Sequence, residues 1–195
     1  YSRTGANFFN EQEDFERMLA AKRRGVSWIR LTPSKWQGAM CKDKPGCFLI
    51  GSHERYQGLV QEDLDHLLSV LDWAQELGLK VVLTFLTVPG RVFAQHNQGN
   101  VDTRIWQSFE KQDEAIQFFT DVALYVGHHP ALLALNPINE PAPEIVAPAF
   151  EDWYHGDYEA WYRSVKDTPR DLNHFYARVV KAVRNARVHL PDRKS

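Results

Sequence analysis

Apolar positions follow two alternating rhythms along the chain. Phe15, Met18 and Leu19, then Leu64, Leu67, Leu68, Leu71, Ala74 and Leu77, then Ile116, Phe119, Val122 and Ala123 fall at steps of three and four. That spacing marks one face of a helix. Gly25, Gly78 and Gly127 follow these segments, where a glycine accepts the left-handed backbone that ends a helix. A short aliphatic or β-branched run comes next in each case: residues 26–31, 79–85 and 130–135. Runs without polar alternation predict strands buried on both faces of a parallel sheet. Residues 5–9 predict an opening strand. Residues 170–186, with Leu172, Phe175, Tyr176, Val179, Val180 and Val183 at helical spacing, predict a closing helix.

The predicted order is β-α four times, which implies an α/β fold with right-handed crossovers. Two architectures share that order: an open doubly wound sheet and part of a (β/α)₈ TIM barrel. No glycine-rich nucleotide fingerprint follows any strand, which weakens the first. Four long loops leave the C-terminal ends of the strands, where barrels build their sites, and this favours the second. A complete barrel takes about 250 residues. The expectation is therefore that residues 1–195 form the N-terminal half of one barrel domain, ending where a fifth strand would begin. A half barrel leaves apolar strand edges unpaired. The remaining half is expected in cis, as a second chain, or by self-association.

Charge narrows the partners. The chain has 23 Lys and Arg against 25 Asp and Glu, so it lacks the footprint of a nucleic-acid or membrane-surface binder. Its longest apolar runs are too short to span a bilayer. No signal peptide is visible at Tyr1-Ser2-Arg3-Thr4. Cys41 and Cys47 flank a turn-forming segment and have two readings: a local disulfide, implying an oxidising compartment, or two surface thiols. No metal site is expected, because no further cysteine and no suitably spaced histidine exist. Of the six tryptophans, several lie in loops, where they either pack the loop down or present a flat face to a sugar ring.

Glu140 is the main candidate for chemistry. It follows the fourth strand, with Asn136 and Asn139 before it and Pro141 after it. A carboxyl group there would face a partly desolvated pocket, which raises its pKa and lets it donate a proton near neutral pH. The plainer alternative is a surface glutamate.

The segment Leu135-Asn136-Pro137-Ile138-Asn139-Glu140-Pro141 resembles the Asn-Glu-Pro signature of glycoside hydrolase family 5, the cellulase-type clan A barrels. Gly5-Ala6-Asn7, Trp28-Ile29-Arg30-Leu31, the stretch from Ala74 to Leu83 with Pro89-Gly90, and His129-Pro130-Ala131 resemble that family's other landmarks, in order. The resemblance implies a retaining hydrolase of β-linked glucan or a related polysaccharide, with no cofactor. It implies Glu140 as acid/base, Asn139 as a ligand of the sugar 2-hydroxyl, and Arg30 as the cation that keeps a partner carboxylate ionised. Two positions depart from the pattern. Leu86 stands where common cellulases carry histidine. The family's nucleophile is a glutamate on a seventh strand, which this sequence does not contain, and Glu144 is too close to Glu140 to replace it. The chain is therefore expected to be inactive alone, and secreted or periplasmic.

Further substrate contacts are expected from Trp36, Gln95, His96, Trp106 and Trp153, together with Asn136. Trp161, Tyr154 and His155 are expected to border the cleft, while His128 and His129 belong to the opposite face. The rival readings are a non-catalytic carbohydrate-binding or scaffold protein on a degenerate barrel, and a metabolic barrel enzyme sharing only the architecture.

Overall fold

The computed structural model describes residues 4–41, 46–52, 54–143 and 157–188. Four strands and five helices follow one another as β1 (Thr4–Phe8), α1 (Phe15–Arg23), β2 (Val26–Leu31), α2 (Gln61–Glu76), β3 (Lys80–Thr84), α3 (Phe109–Val126), β4 (Leu132–Asn136), α4 (Tyr158–Val165) and α5 (Leu172–Val188). Local chemistry sets several of these starts. Asp14 accepts from the Arg17 amide at 2.8 Å ahead of α1, and Asp157 accepts from Ala160 at 3.0 Å ahead of α4. Both satisfy donors that the first helical turn leaves unpaired.

The sheet is wholly parallel, with strand order β1-β2-β3-β4. A doubly wound sheet reverses its order at a switch point, and no reversal occurs among these strands. Sequential order with right-handed crossovers advances in one direction and lays the helices on one side, as in a barrel wall. Beneath the helices, Ile29, Leu31, Val81 and Leu83 are fully buried and join Met18, Leu64, Leu67, Leu71, Phe118 and Val122 in one core.

The opposite face corrects the expectation of strands buried on both sides. Gly5, Asn7, Lys80 and Ala134 are exposed and Trp28, Arg30 and Val82 are half-buried; Leu133, the extra residue at the register shift between β3 and β4, is 58% exposed. In a closed barrel this face packs against strands across the axis, and the described residues supply one wall. Gly5 is there because Trp28 lies across it: a Cβ at Gly5 would meet the indole at 2.1 Å. Two further details differ from the sequence reading. Gly78 does adopt a positive φ of 63°, but Gly127 stays right-handed and is required because a Cβ would fall 2.2 Å from the Ala123 carbonyl. Residues 158–165, for which no helix was expected, form α4. No described helix is long and apolar enough to cross a membrane.

Candidate active site

Register brings the candidate residues to the C-terminal tips of the strands. Arg30 on β2 pairs with Val82 of β3, and Thr84 pairs with Asn136 of β4. Arg30 Nη2 donates to Asn139 Oδ1 at 2.9 Å and lies 3.4 Å from Thr84 Oγ1. With its amide oxygen turned inward, Asn136 also accepts from Arg30 Nη2 at 3.0 Å while its nitrogen donates to the Ile138 carbonyl at 3.2 Å. The Phe9 ring lies 5.5 Å from the guanidinium carbon. The Asn139 amide donates to the Phe85 carbonyl at 2.8 Å, so main-chain pairing between the third and fourth units continues past the end of β4. One cation thus orders the two asparagines that flank the tip of that strand.

Glu140 follows with φ of 47°, a left-handed conformation that costs a non-glycine residue about 1–3 kcal/mol unless its surroundings impose it. Arg91 supplies the constraint. Its Nη2 donates to the Glu140 carbonyl, and its Nη1 donates to the Leu86 carbonyl at 2.9 Å. Arg91 is 4% exposed, with its guanidinium 4.3 Å from the centre of the Phe93 ring. The Glu140 side chain itself is exposed. This corrects the expectation of a partly desolvated carboxyl group: the described residues build one side of the site only.

No family model matches the chain. A probable glucan 1,3-beta-glucosidase of Arthroderma benhamiae is 29% identical over 154 residues, covering 76% of this chain and 33% of that protein. The chain spans about a third of the length of the curated relatives it matches. Among solved structures, endo-glycoceramidase II from Rhodococcus sp. superposes with a TM-score of 0.60 at 16% identity, over 93% of this chain and 45% of that one. A beta-glucosidase from Thermotoga maritima gives 0.54 at 20% identity, over 88% and 34%. At such identities the likeness carries the fold alone. The parallel strands and their helices correspond to part of a (β/α)₈ barrel of the kind glycosidases use.

The remaining candidates divide sharply. Trp36 is 2% exposed and meets Phe48 and His66 edge-on, both at 5.0 Å. It is a packing residue and offers no open face to a sugar ring. Trp106, also 2% exposed, packs edge-on against Phe175 of α5 at 5.6 Å. It too is corrected from platform to core. Both corrections share a cause: the loops after β2 and β3 fold down onto the helices and use their tryptophans as anchors. His96 is buried, with its ring 3.2 Å from the Gln95 amide nitrogen. Burial, and then the nearby Lys35 charge, hold that imidazole below its usual range. Neither Gln95 nor His96 joins the Arg30 cluster. Trp153, Tyr154, His155 and Glu144 lie outside the described residues. Trp161 on α4 lies 5.7 Å from the Tyr158 ring. His129 ties Asp72 to the turn before β4, at the end of the sheet away from Glu140. Cys41 and Cys47 form a disulfide, which settles their two readings. Among the described residues no group of three His, Cys, Asp or Glu could hold a metal.

Three contributors escaped the sequence reading. Thr84 accepts from Arg30. Ser34 Oγ accepts from the amides of Leu86 and Thr87 at 2.9 and 3.3 Å, joining the loops after β2 and β3. Arg91 was legible only as a charge placed directly after the Pro89-Gly90 turn. Nothing local in the sequence says that it turns inward to the main chain of Glu140.

Proposed function

We propose that the protein is the N-terminal half, residues 1–195, of a retaining β-glucan hydrolase in which Glu140 is the acid/base. The cluster of Arg30, Asn136 and Asn139 beside Glu140 is the observation that carries this reading. Because Asn139 Oδ1 accepts from Arg30, its amide nitrogen is oriented as a donor. A donor there suits the oxygen of a sugar 2-hydroxyl, a contact that strengthens as the transition state forms. The other guanidinium N–H groups of Arg30 would hold a nucleophilic carboxylate in its ionised form. The glucan 1,3-beta-glucosidase relatives support a β-1,3-linked glucan as substrate class.

The reaction would proceed by double displacement. The nucleophile, a carboxylate outside the described residues and about 5–5.5 Å from that of Glu140, attacks the anomeric carbon while Glu140 gives its proton to the leaving oxygen. The Glu140 carboxylate then takes a proton from water as the water oxygen bonds to the anomeric carbon, breaking the glycosyl–enzyme bond and returning the nucleophile as a carboxylate. The open sheet face would be covered by the remaining half of the barrel, which also excludes water from the carboxyl pair. Alone, the described wall would not turn over substrate. The Cys41–Cys47 disulfide supports a secreted or periplasmic setting.

The test is the stereochemistry of hydrolysis by the completed barrel, followed by NMR on a β-1,3-linked oligosaccharide. The expected first product is the β-anomer. An α-anomer would overturn the retaining mechanism. Binding without turnover would favour a carbohydrate-binding scaffold.

A further inference from the structure

The segment after β3 is built as a hairpin whose corner delivers one cation. Pro89 and Gly90 take the two central positions of a tight turn, with Gly90 at φ of 74°, the sign that a type II turn demands after its proline. Val88 and Arg91 exchange both main-chain hydrogen bonds across that turn, at 3.1 and 2.9 Å, and Val92 and Asp102 do the same at 3.1 and 2.9 Å. The Ile105 amide donates to the Gly90 carbonyl at 2.9 Å, and a Cβ on Gly90 would lie 3.2 Å from that amide nitrogen. Ser34, from the loop after β2, holds the amides of Leu86 and Thr87. Arg91 therefore leaves a fixed frame. Its guanidinium, lying over the Phe93 ring, reaches from that frame to the Glu140 carbonyl.

That carbonyl belongs to a residue that two local forces push elsewhere. Glu140 has φ of 47°, a region that L side chains seldom occupy. Pro141 follows it, and a residue before proline is steered to extended backbone, with φ of about −120°. Without the clamp, Glu140 would relax toward that extended form by turning about its N–Cα bond, which carries the carboxyl to a different place. Asn139, one residue earlier, is anchored separately. Its amide donates to the Phe85 carbonyl and its side chain accepts from Arg30. The turn would therefore fall on Glu140 and leave the asparagine where it is.

We propose that Arg91 is a positioning residue for proton transfer, which by holding the Glu140 carbonyl sets where the Glu140 carboxyl meets the leaving oxygen; this rests on the reading of Glu140 as acid/base. The guanidinium acts through the main chain of Glu140. Proton transfer needs its heavy atoms within about 2.6–3.2 Å, and a misplacement of about 1 Å costs on the order of 10²-fold in rate. A strongly acidic phenol departs without a proton, so its displacement is insensitive to where the carboxyl lies. A clamp that serves proton transfer therefore matters for one class of leaving group and not for the other.

The test compares Arg91→Met, Glu140→Gln and the double variant in the completed barrel. The substrates are a β-1,3-linked glucose oligosaccharide and an aryl β-glucoside with a strongly acidic phenol. Arg91→Met is expected to lower kcat/KM on the oligosaccharide about 10–100-fold. It is expected to leave kcat/KM on the aryl glucoside, which reports the first displacement, unchanged. In the double variant it should add nothing to the loss from Glu140→Gln, because a positioning residue has no effect once the group it positions is gone. Should Arg91→Met not fold, Arg91→Lys, which keeps the charge but not the planar fork, is expected to show the same selectivity with a smaller loss. An equal loss on both substrates, a loss that multiplies with that of Glu140→Gln, or an unchanged oligosaccharide rate in the folded Arg91 variant would overturn the proposal alone. A Glu140→Gln enzyme with the full oligosaccharide rate would defeat the acid/base reading, and the role of Arg91 with it.

Discussion

The guanidinium of Arg91 donates to the backbone carbonyl of Glu140, and Glu140 holds a left-handed φ of 47°. The same guanidinium donates to the Leu86 carbonyl at 2.9 Å. A single buried side chain thus ties the segment after β3 to the segment after β4 and imposes the backbone turn on which the candidate acid/base stands. Such strain persists only where neighbours over-determine it.

Replacing Arg91 tests that relationship. Arg91→Met keeps much of the bulk but strips two carbonyls of a charged donor, each such bond being worth about 1.5–3 kcal/mol. A loss of about 3 kcal/mol is expected in urea denaturation, with Arg91→Lys recovering part of it. A variant within about 0.5 kcal/mol of wild type, the range of ordinary surface changes, would show that the clamp does not hold the turn.

Glu13 makes stability depend on pH with a definite sign. Its folded carboxyl is pushed up to about 7 from 4.5, first by burial. The folded protein therefore binds this proton more tightly than the unfolded chain does. The associated stability is complete below about pH 4.5, declines as pH rises, and is lost above about 7. Its size is on the order of 2 kcal/mol. Glu13→Gln cannot ionise, so its stability curve should lack this decline and cross above wild type near pH 8. Parallel curves for the two proteins would contradict this.

Trp106 is expected to behave as core. Trp106→Ala should cost about 3–5 kcal/mol, measured by denaturation, because it removes the ring that meets Phe175. Trp106→Phe should restore much of that and leave the KM of the completed enzyme unchanged. A raised KM at undiminished stability would return Trp106 to the substrate.

Reducing the Cys41–Cys47 disulfide opens a short loop, with a sequence separation of 6. Loop-closure entropy for such a ring amounts to about 2 kcal/mol. Thermal melts with and without reductant should differ by that amount, and Cys41→Ser should melt like the reduced protein. Identical melts would place no stabilising role on the bond.

The fold was legible because its signals are local. Helical spacing from Leu64 to Leu77 and the aliphatic run after Gly78 report one element each, and strict alternation confines the topology. Arg30, Asn139 and Glu140 were singled out by the resemblance of their segments to family 5 landmarks, and the structure brings Arg30 and Asn139 into contact at the strand tips. What stayed hidden is long-range. Whether Trp36 and Trp106 face a cleft or the core depends on how loops of tens of residues fold back, and neither has a periodic neighbourhood to decide it. Arg91 reaches Glu140 across 49 positions, and no spacing rule links the two. The exposure of Leu133 was invisible for a different reason. An apolar run reads as buried on both faces whether the opposing wall is described or lies elsewhere.

The most direct measurement of the central claim is the rate of Glu140→Gln in the completed barrel, on a β-1,3-linked glucose oligosaccharide and on an aryl β-glucoside with a strongly acidic phenol. An unactivated leaving oxygen needs a proton, so kcat on the oligosaccharide should fall by about 10²–10⁴-fold. The first displacement from the acidic phenol needs none, so the burst of phenol from that step should survive. An unchanged rate on the oligosaccharide would remove Glu140 from the mechanism.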